Sequence, residues 1–380
     1  MLHLRPAGGK GGEDGDDAVG HGATDMTSTA SLPLNDRSKR VVPLPLGVWI
    51  LFGLYLDVWS HNPPTAAESF FSPWHAILYS GWLVTALWVI WPLARALREE
   101  HRSAAEAVDV LSVAGVLTFA MGGITDMLWH LALGIELGVA VMLSPPHILI
   151  GAGIILIVSG PFRGAWAASA ETVPTLRAFL PAVTSLALAT SIIGLGASAV
   201  WGFSHADFLR VGSLEQVAAE LAPTARGRYQ LQELLYQRSV SNIVVTNLVL
   251  LAPVFVMLRR WRLPFGAITV FLTLTTMLVA VSAGVPLLIM LLVSLSAGLV
   301  ADWLVGMLRL SPQRTPALRM FAAAVPVVLW GLYMAAVHVE WGVAWPPTIW
   351  GGALVWASGS GLLLSIVAAP GDFPAQAPAN

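Results

Sequence analysis

Two stretches of this chain repeat one pattern of ionisable residues. "DVWSHNPPTAAESFFSPWH" runs from Asp57 to His75, and "DMLWHLALGIELGVAVMLSPPH" runs from Asp126 to His147. Each begins D-x-x-x-H, carries a glutamate midway (Glu68, Glu136) and closes on Ser-Pro-x-His. An acid and a histidine four residues apart on a helix share one face, about one turn apart. Pro63 and Pro64 then end the first helix. Ser72-Pro73 and Ser144-Pro145 read as the starts of the next helices, with His75 and His147 in their first turns. A short hairpin therefore returns the second histidine to the level of the first. One carboxylate and two imidazoles form the three-ligand set of an open metal site, and imidazole suits copper, zinc, iron and nickel. The candidate ligands are Asp57, His61 and His75, and Asp126, His130 and His147. The alternative is that each acid simply pairs with its histidines. Glu68 and Glu136 are the candidate catalytic carboxylates, as a proton relay. They could equally be further ligands, acceptors for imidazole N–H groups, or solvated loop acids.

The elements that must position these residues are strongly apolar. Of 380 residues, 56% are hydrophobic and 11% charged, and mean hydropathy is +0.72. Soluble domains carry about a quarter charged residues, and several runs here reach the ~20 apolar residues that cross a bilayer as a helix. The expected fold is all-α, a polytopic membrane protein of about ten transmembrane helices. The ten spans are predicted at 42–60, 74–94, 106–129, 146–162, 178–202, 239–258, 265–283, 286–307, 318–338 and 347–368. The chain has no cysteine, which excludes disulfides, thiolate metal sites and iron–sulfur clusters. Any metal must rest on His, Asp, Glu or Met.

Basic residues set an expected orientation. With both termini cytoplasmic, 14 of the 20 lysines and arginines flank the spans on the cytoplasmic side. Both acid–histidine hairpins then lie at the outer face. Residues 1–40 read as a disordered cytoplasmic tail, 41–162 as a four-helix metal-binding module, 163–370 as six further spans, and 371–380 as a second disordered tail. The long outer loop at 203–238 reads as one or two short amphipathic helices at the membrane surface.

Six of the nine histidines (His61, His75, His130, His147, His205 and His338) map to the outer ends of spans. His205 with Asp207, and His338 with Glu340, are further outer pairs. "PPTIWGGA" echoes "PPHILIGAG", with Thr348 standing where His147 stands, which suggests a degenerate third repeat. Asp302 lies within an apolar run and is either a proton site or an interfacial acid.

The first motif resembles one that the membrane-bound copper monooxygenases, the particulate methane and ammonia monooxygenases, hold in one of their integral membrane subunits. In that family D-x-x-x-H is followed by F-x-P-x-H on the next helix, and here Asp57, His61 and "FSPWH" (Phe71 to His75) stand in that order. A second set follows about seventy residues on in the family, where Asp126, His130 and His147 stand here. The resemblance covers residues 45–160. It implies one copper site at Asp57, His61 and His75, and an alternative or second one at Asp126, His130 and His147. It also implies oxidation of a small apolar substrate by O2, and partner membrane subunits. Copper is thus the expected cofactor ahead of zinc or iron, and the expected partners are the lipid bilayer and other membrane subunits, with no nucleic acid. The expected location is a bacterial inner membrane. Three other readings compete. An intramembrane zinc hydrolase would use Glu68 or Glu136 as general base. A copper carrier or insertion factor would load a partner. A transporter would use Asp302 and the histidines for protons.

Overall fold

Apolar runs broken by Gly, Pro and charged clusters fold into helices of up to 36 residues in the computed structural model. It describes residues 42–60, 70–98, 109–134, 136–168, 174–205, 216, 220, 222, 224–283, 286–310 and 314–369. The α-helices are α1 (Leu44–Ser60), α2 (Pro73–Arg98), α3 (Val110–Leu133), the short α4 (Val139–Leu143), α5 (Pro145–Val158), α6 (Gly160–Ala167), α7 (Leu176–Gly196), α8 (Ala225–Arg260), α9 (Ala267–Ala283), α10 (Leu287–Met307), α11 (Thr315–Trp341) and α12 (Pro347–Ala368). The chain is an all-helical, multi-pass membrane protein. Large apolar side chains such as Phe52, Trp91, Leu131 and Val355 stand exposed on its outside, as lipid-facing positions require.

Each predicted span falls on helix. Among the described residues seven helices are long and apolar enough to cross a membrane, the bent pair α5–α6 makes up to an eighth, and α1 and α9 are shorter apolar helices. Helix α1 has 17 residues. At 1.5 Å per residue it extends about 25 Å, and its length is at the lower end of the ~17–25 residues that span a bilayer. The span predicted at 146–162 breaks at Ser159, with a bend of 41°. Pro161 follows two residues later, without an N–H and with a ring that crowds the preceding turn. The outer loop is corrected as well. Its second half forms no separate surface helix but is the beginning of α8, which runs unbroken from Ala225 to Arg260 and is capped by Thr224 Oγ1 accepting from the Gly227 N–H.

Two hydrophobic cores fill the bundle. One is built on α1, α2, α3, α5 and α7, with Ile50, Leu51, Leu78, Phe119, Ile154 and Ile157 at its centre. The other is built on α7 to α12, around Phe271, Phe321, Trp330 and Tyr333. In the first core α3 and α5 meet backbone to backbone. A Cβ at Gly153 would stand 2.6 Å from the Phe119 nitrogen, and one at Gly115 would stand 2.8 Å from the Gly153 carbonyl oxygen. Small residues allow this approach where no water drives the helices together. The pair is clamped at one end by Arg163, which donates to Asp109, Ser112 and the Leu156 carbonyl. At the other end it carries Asp126, His130 and His147.

Asp302 has a structural explanation. It is buried on α10, and its carboxylate accepts from the Ile268 N–H at 3.1 Å, the Thr269 N–H at 3.0 Å and the Thr269 hydroxyl at 2.6 Å. These are donors of the first turn of α9, which an α-helix cannot satisfy internally. Asp302 therefore caps a neighbouring helix across the bundle. Gly298, one turn earlier, makes the contact feasible, because a Cβ there would stand 2.5 Å from the Thr269 Cα. Asp302→Ala would strand three buried donors, at about 3 kcal/mol or more in total. The expected result is a lowered Tm in detergent with bound metal retained, and a wild-type Tm would exclude the capping role.

Candidate metal centre

The Ser-Pro-x-His motif is a helix start with a built-in histidine anchor. In each copy serine lies just before the first helical turn and proline opens it, where the missing N–H costs nothing. Histidine then falls three residues after serine, over the serine hydroxyl. His75 Nδ1 lies 3.2 Å from Ser72 Oγ, and His147 Nδ1 lies 2.6 Å from Ser144 Oγ. His75 is fixed further, because its Nδ1 also contacts the Phe70 carbonyl oxygen at 2.6 Å. A carbonyl only accepts, so His75 Nδ1 carries the proton and Nε2 is aimed at Asp57 Oδ1, 3.0 Å away. This is the pattern by which an outer hydrogen bond fixes the tautomer and direction of an imidazole.

On α3, Asp126 and His130 share a face as expected, with His130 Nε2 3.2 Å from Asp126 Oδ1. His147 comes in from α5, its Nδ1 3.5 Å from the same Asp126 oxygen. One ligand atom from each of these three residues lies within 4.8 Å of the others. Glu136 adds a second carboxylate, with Oε2 3.6 Å from His130 Nε2. Its return depends on Gly134 and Gly138, at φ +86° and +63°. Both sit in left-handed backbone that only glycine adopts readily, and Glu136 stands between them.

The two motifs meet. The His75 and His130 rings lie 6.1 Å apart by centroid, and His130 and His147 are likewise 6.1 Å apart. Phe70 stacks on His75 at 4.8 Å and touches His130 edge-on at 6.1 Å. Asp57, His75, Asp126, His130, Glu136 and His147 thus form one cluster at one end of the bundle. His61 and Glu68, the remaining members of the predicted set, lie outside the described residues. So does Asp207, and the His205 side chain is not described. His338 and Glu340 are exposed, and His338 Nδ1 accepts the Val343 N–H at 3.3 Å. The third repeat therefore gathers no comparable cluster among the described residues.

No protein family, curated protein or solved structure matches this chain. The site is read from its own geometry.

That geometry distinguishes the two motifs. A charge-assisted hydrogen bond between imidazole and carboxylate spans about 2.7–2.9 Å. Ligands held about 2.0–2.2 Å from a tetrahedral ion stand roughly 3.3–3.6 Å apart. The Glu136–His130 separation of 3.6 Å follows the second spacing, and the Asp126–His130 separation of 3.2 Å lies between the two. The Asp57–His75 separation of 3.0 Å is nearer the first. Asp126 and Asp57 are 1% and 2% exposed, and Asp126 Oδ1 and both Glu136 oxygens are buried without a hydrogen bond of good geometry. The segments 41–94 and 103–162 contain no lysine or arginine. Within them, countercharge for these buried acids comes only from protons on the histidines or from a cation. An unneutralised buried carboxylate is too costly to persist.

Sequence reasoning missed three features: the Ser–His anchors, the Phe70 stack and Tyr79. Tyr79 was open to detection, since it follows His75 by four residues and so shares its face.

Proposed function

We propose that this chain is an integral membrane metal protein whose ion is held by Asp126, His130 and His147, with Glu136 as fourth donor. The observation that carries the reading is that one ligand atom from each of Asp126, His130 and His147 lies within 4.8 Å of the others, with Glu136 Oε2 3.6 Å from His130 Nε2. Asp57 and His75 flank the ion, and their share in holding it is set by His61, the third member of their motif. Ser144 anchors His147 through Nδ1, which directs Nε2 towards an ion. The apolar helices around the cluster limit water access.

Copper is the metal we propose, from the two imidazoles in the set and the resemblance to the copper monooxygenases. Bound there, it would supply O2 activation for oxidation of a small apolar substrate. In the proposed orientation the cluster faces the outer side of a bacterial inner membrane, and further membrane subunits would complete an enzyme. One observation favours a second reading. Glu136 makes the donor set half carboxylate, which suits zinc or iron as well as copper, and a zinc site with Glu136 as base would be hydrolytic.

Elemental analysis of detergent-purified protein separates these readings. About one equivalent of copper is expected, and zinc in its place would shift the proposal to hydrolysis. Absence of metal, even after anaerobic reconstitution with copper, zinc and iron, would leave only proton-mediated Asp–His pairing and sink the metal reading.

A further inference from the structure

We infer that the inner floor of this cluster is a binding position for a small hydrogen-bond-accepting anion, and that Tyr79 donates the hydrogen bond that holds it. The inference rests on the metal reading above and adds what the centre binds besides its ion.

Tyr79 lies one turn inward from His75 on α2, its ring 6.1 Å from His75 and 5.8 Å from Phe70 by centroid. Its hydroxyl end lies over α3 at Gly123, one turn inward from Asp126. A Cβ at Gly123 would stand 2.9 Å from the Tyr79 oxygen and 2.7 Å from Cε1. Glycine is thus what admits the phenol to this position. Among the described residues the hydroxyl is buried without a hydrogen-bond partner. A buried phenol normally finds an acceptor. Among the described residues none is supplied, and the donor lies one turn inward of the cluster on α2.

The rest of the floor is aromatic. Phe119 packs edge-on against Tyr79 at 5.6 Å, and Trp82 stacks on Phe119 at 5.5 Å. Trp82 does not compete as a donor, because its Nε1–H is spent on the Val116 carbonyl at 3.1 Å. A cation in the cluster would attract a negative ligand, the aromatic floor limits it to a few atoms, and Tyr79 requires it to accept a hydrogen bond. Azide fits that description and serves as the probe.

The test compares wild type, Tyr79→Phe and Gly123→Ala, each loaded with copper(II) or cobalt(II). Tyr79→Phe keeps the ring and removes only the hydroxyl. Metal content is measured by elemental analysis and azide binding by absorption titration. The expected result is full metal in Tyr79→Phe, an unchanged Tm and an azide Kd raised about tenfold, the value of one hydrogen bond to a charged group. Gly123→Ala, which displaces the ring, should weaken azide as well. Equal azide affinity in wild type and Tyr79→Phe, or no azide binding to metal-loaded wild type, overturns this inference and leaves the metal reading standing. A wild type that takes up no metal overturns both.

Discussion

Replacing His130 with alanine is expected to release the metal and destabilise the bundle together. His130 Nε2 faces two carboxylates, Asp126 at 3.2 Å and Glu136 at 3.6 Å. Without the imidazole the ion loses a ligand, and two buried acids lose their shared partner. Loss of an outer partner of a ligand lowers metal affinity roughly 10–100-fold, and loss of the ligand itself should exceed that. Removing one member of a buried charge pair costs about 3–5 kcal/mol, which should appear as a lower Tm even in metal-free protein. Metal content and thermal unfolding in detergent read the two effects separately. Acid should reproduce the first effect reversibly. Ligating histidine must be deprotonated, so metal affinity should fall as the pH is lowered. A His130→Ala protein with wild-type metal content would exclude the proposed centre.

The second large effect is expected at a residue that touches no ligand. Gly153→Val should push α3 and α5 apart, because a Cβ there already stands 2.6 Å from the Phe119 nitrogen. Backbone cannot yield as a side-chain end does, so the helices must separate. Overpacking costs typically 1–3 kcal/mol and sometimes more, and contact between two backbones belongs at the upper end. Asp126 and His130 ride on α3 and His147 rides on α5, so separation also opens the centre and lowers metal affinity. Gly151→Ala is the control on the same helix, where the nearest atom to a new Cβ is Ile192 Cγ2 at 3.7 Å, an ordinary contact. The control should keep wild-type Tm and metal, while Gly153→Val loses both. A Gly153→Val protein with unchanged Tm would show that the close approach of α3 and α5 does not support the centre.

These two substitutions also mark the boundary between what is local and what is not. The helices were legible because apolar runs and their Pro and Gly punctuation act within a few residues. The pairing of Asp126 with His130 was legible for the same reason, since four residues along a helix fix a face. The Ser-Pro-x-His motif was visible as a helix start, but its hydroxyl–imidazole bond depends on cap geometry that spacing alone does not specify. The break at Ser159 and the early start of α8 were missed because hydropathy averages over a turn of backbone.

By itself the sequence determined a bundle of apolar helices and the placing of acids and histidines at their ends. Only the tertiary structure decided that His75 lies against His130, that Asp302 caps α9, and that Tyr79 reaches the cluster over Gly123. Each of these is a contact between helices distant in sequence, set by where small residues let backbones approach. That approach is a property of two packed surfaces, and neither helix carries it in its own residues.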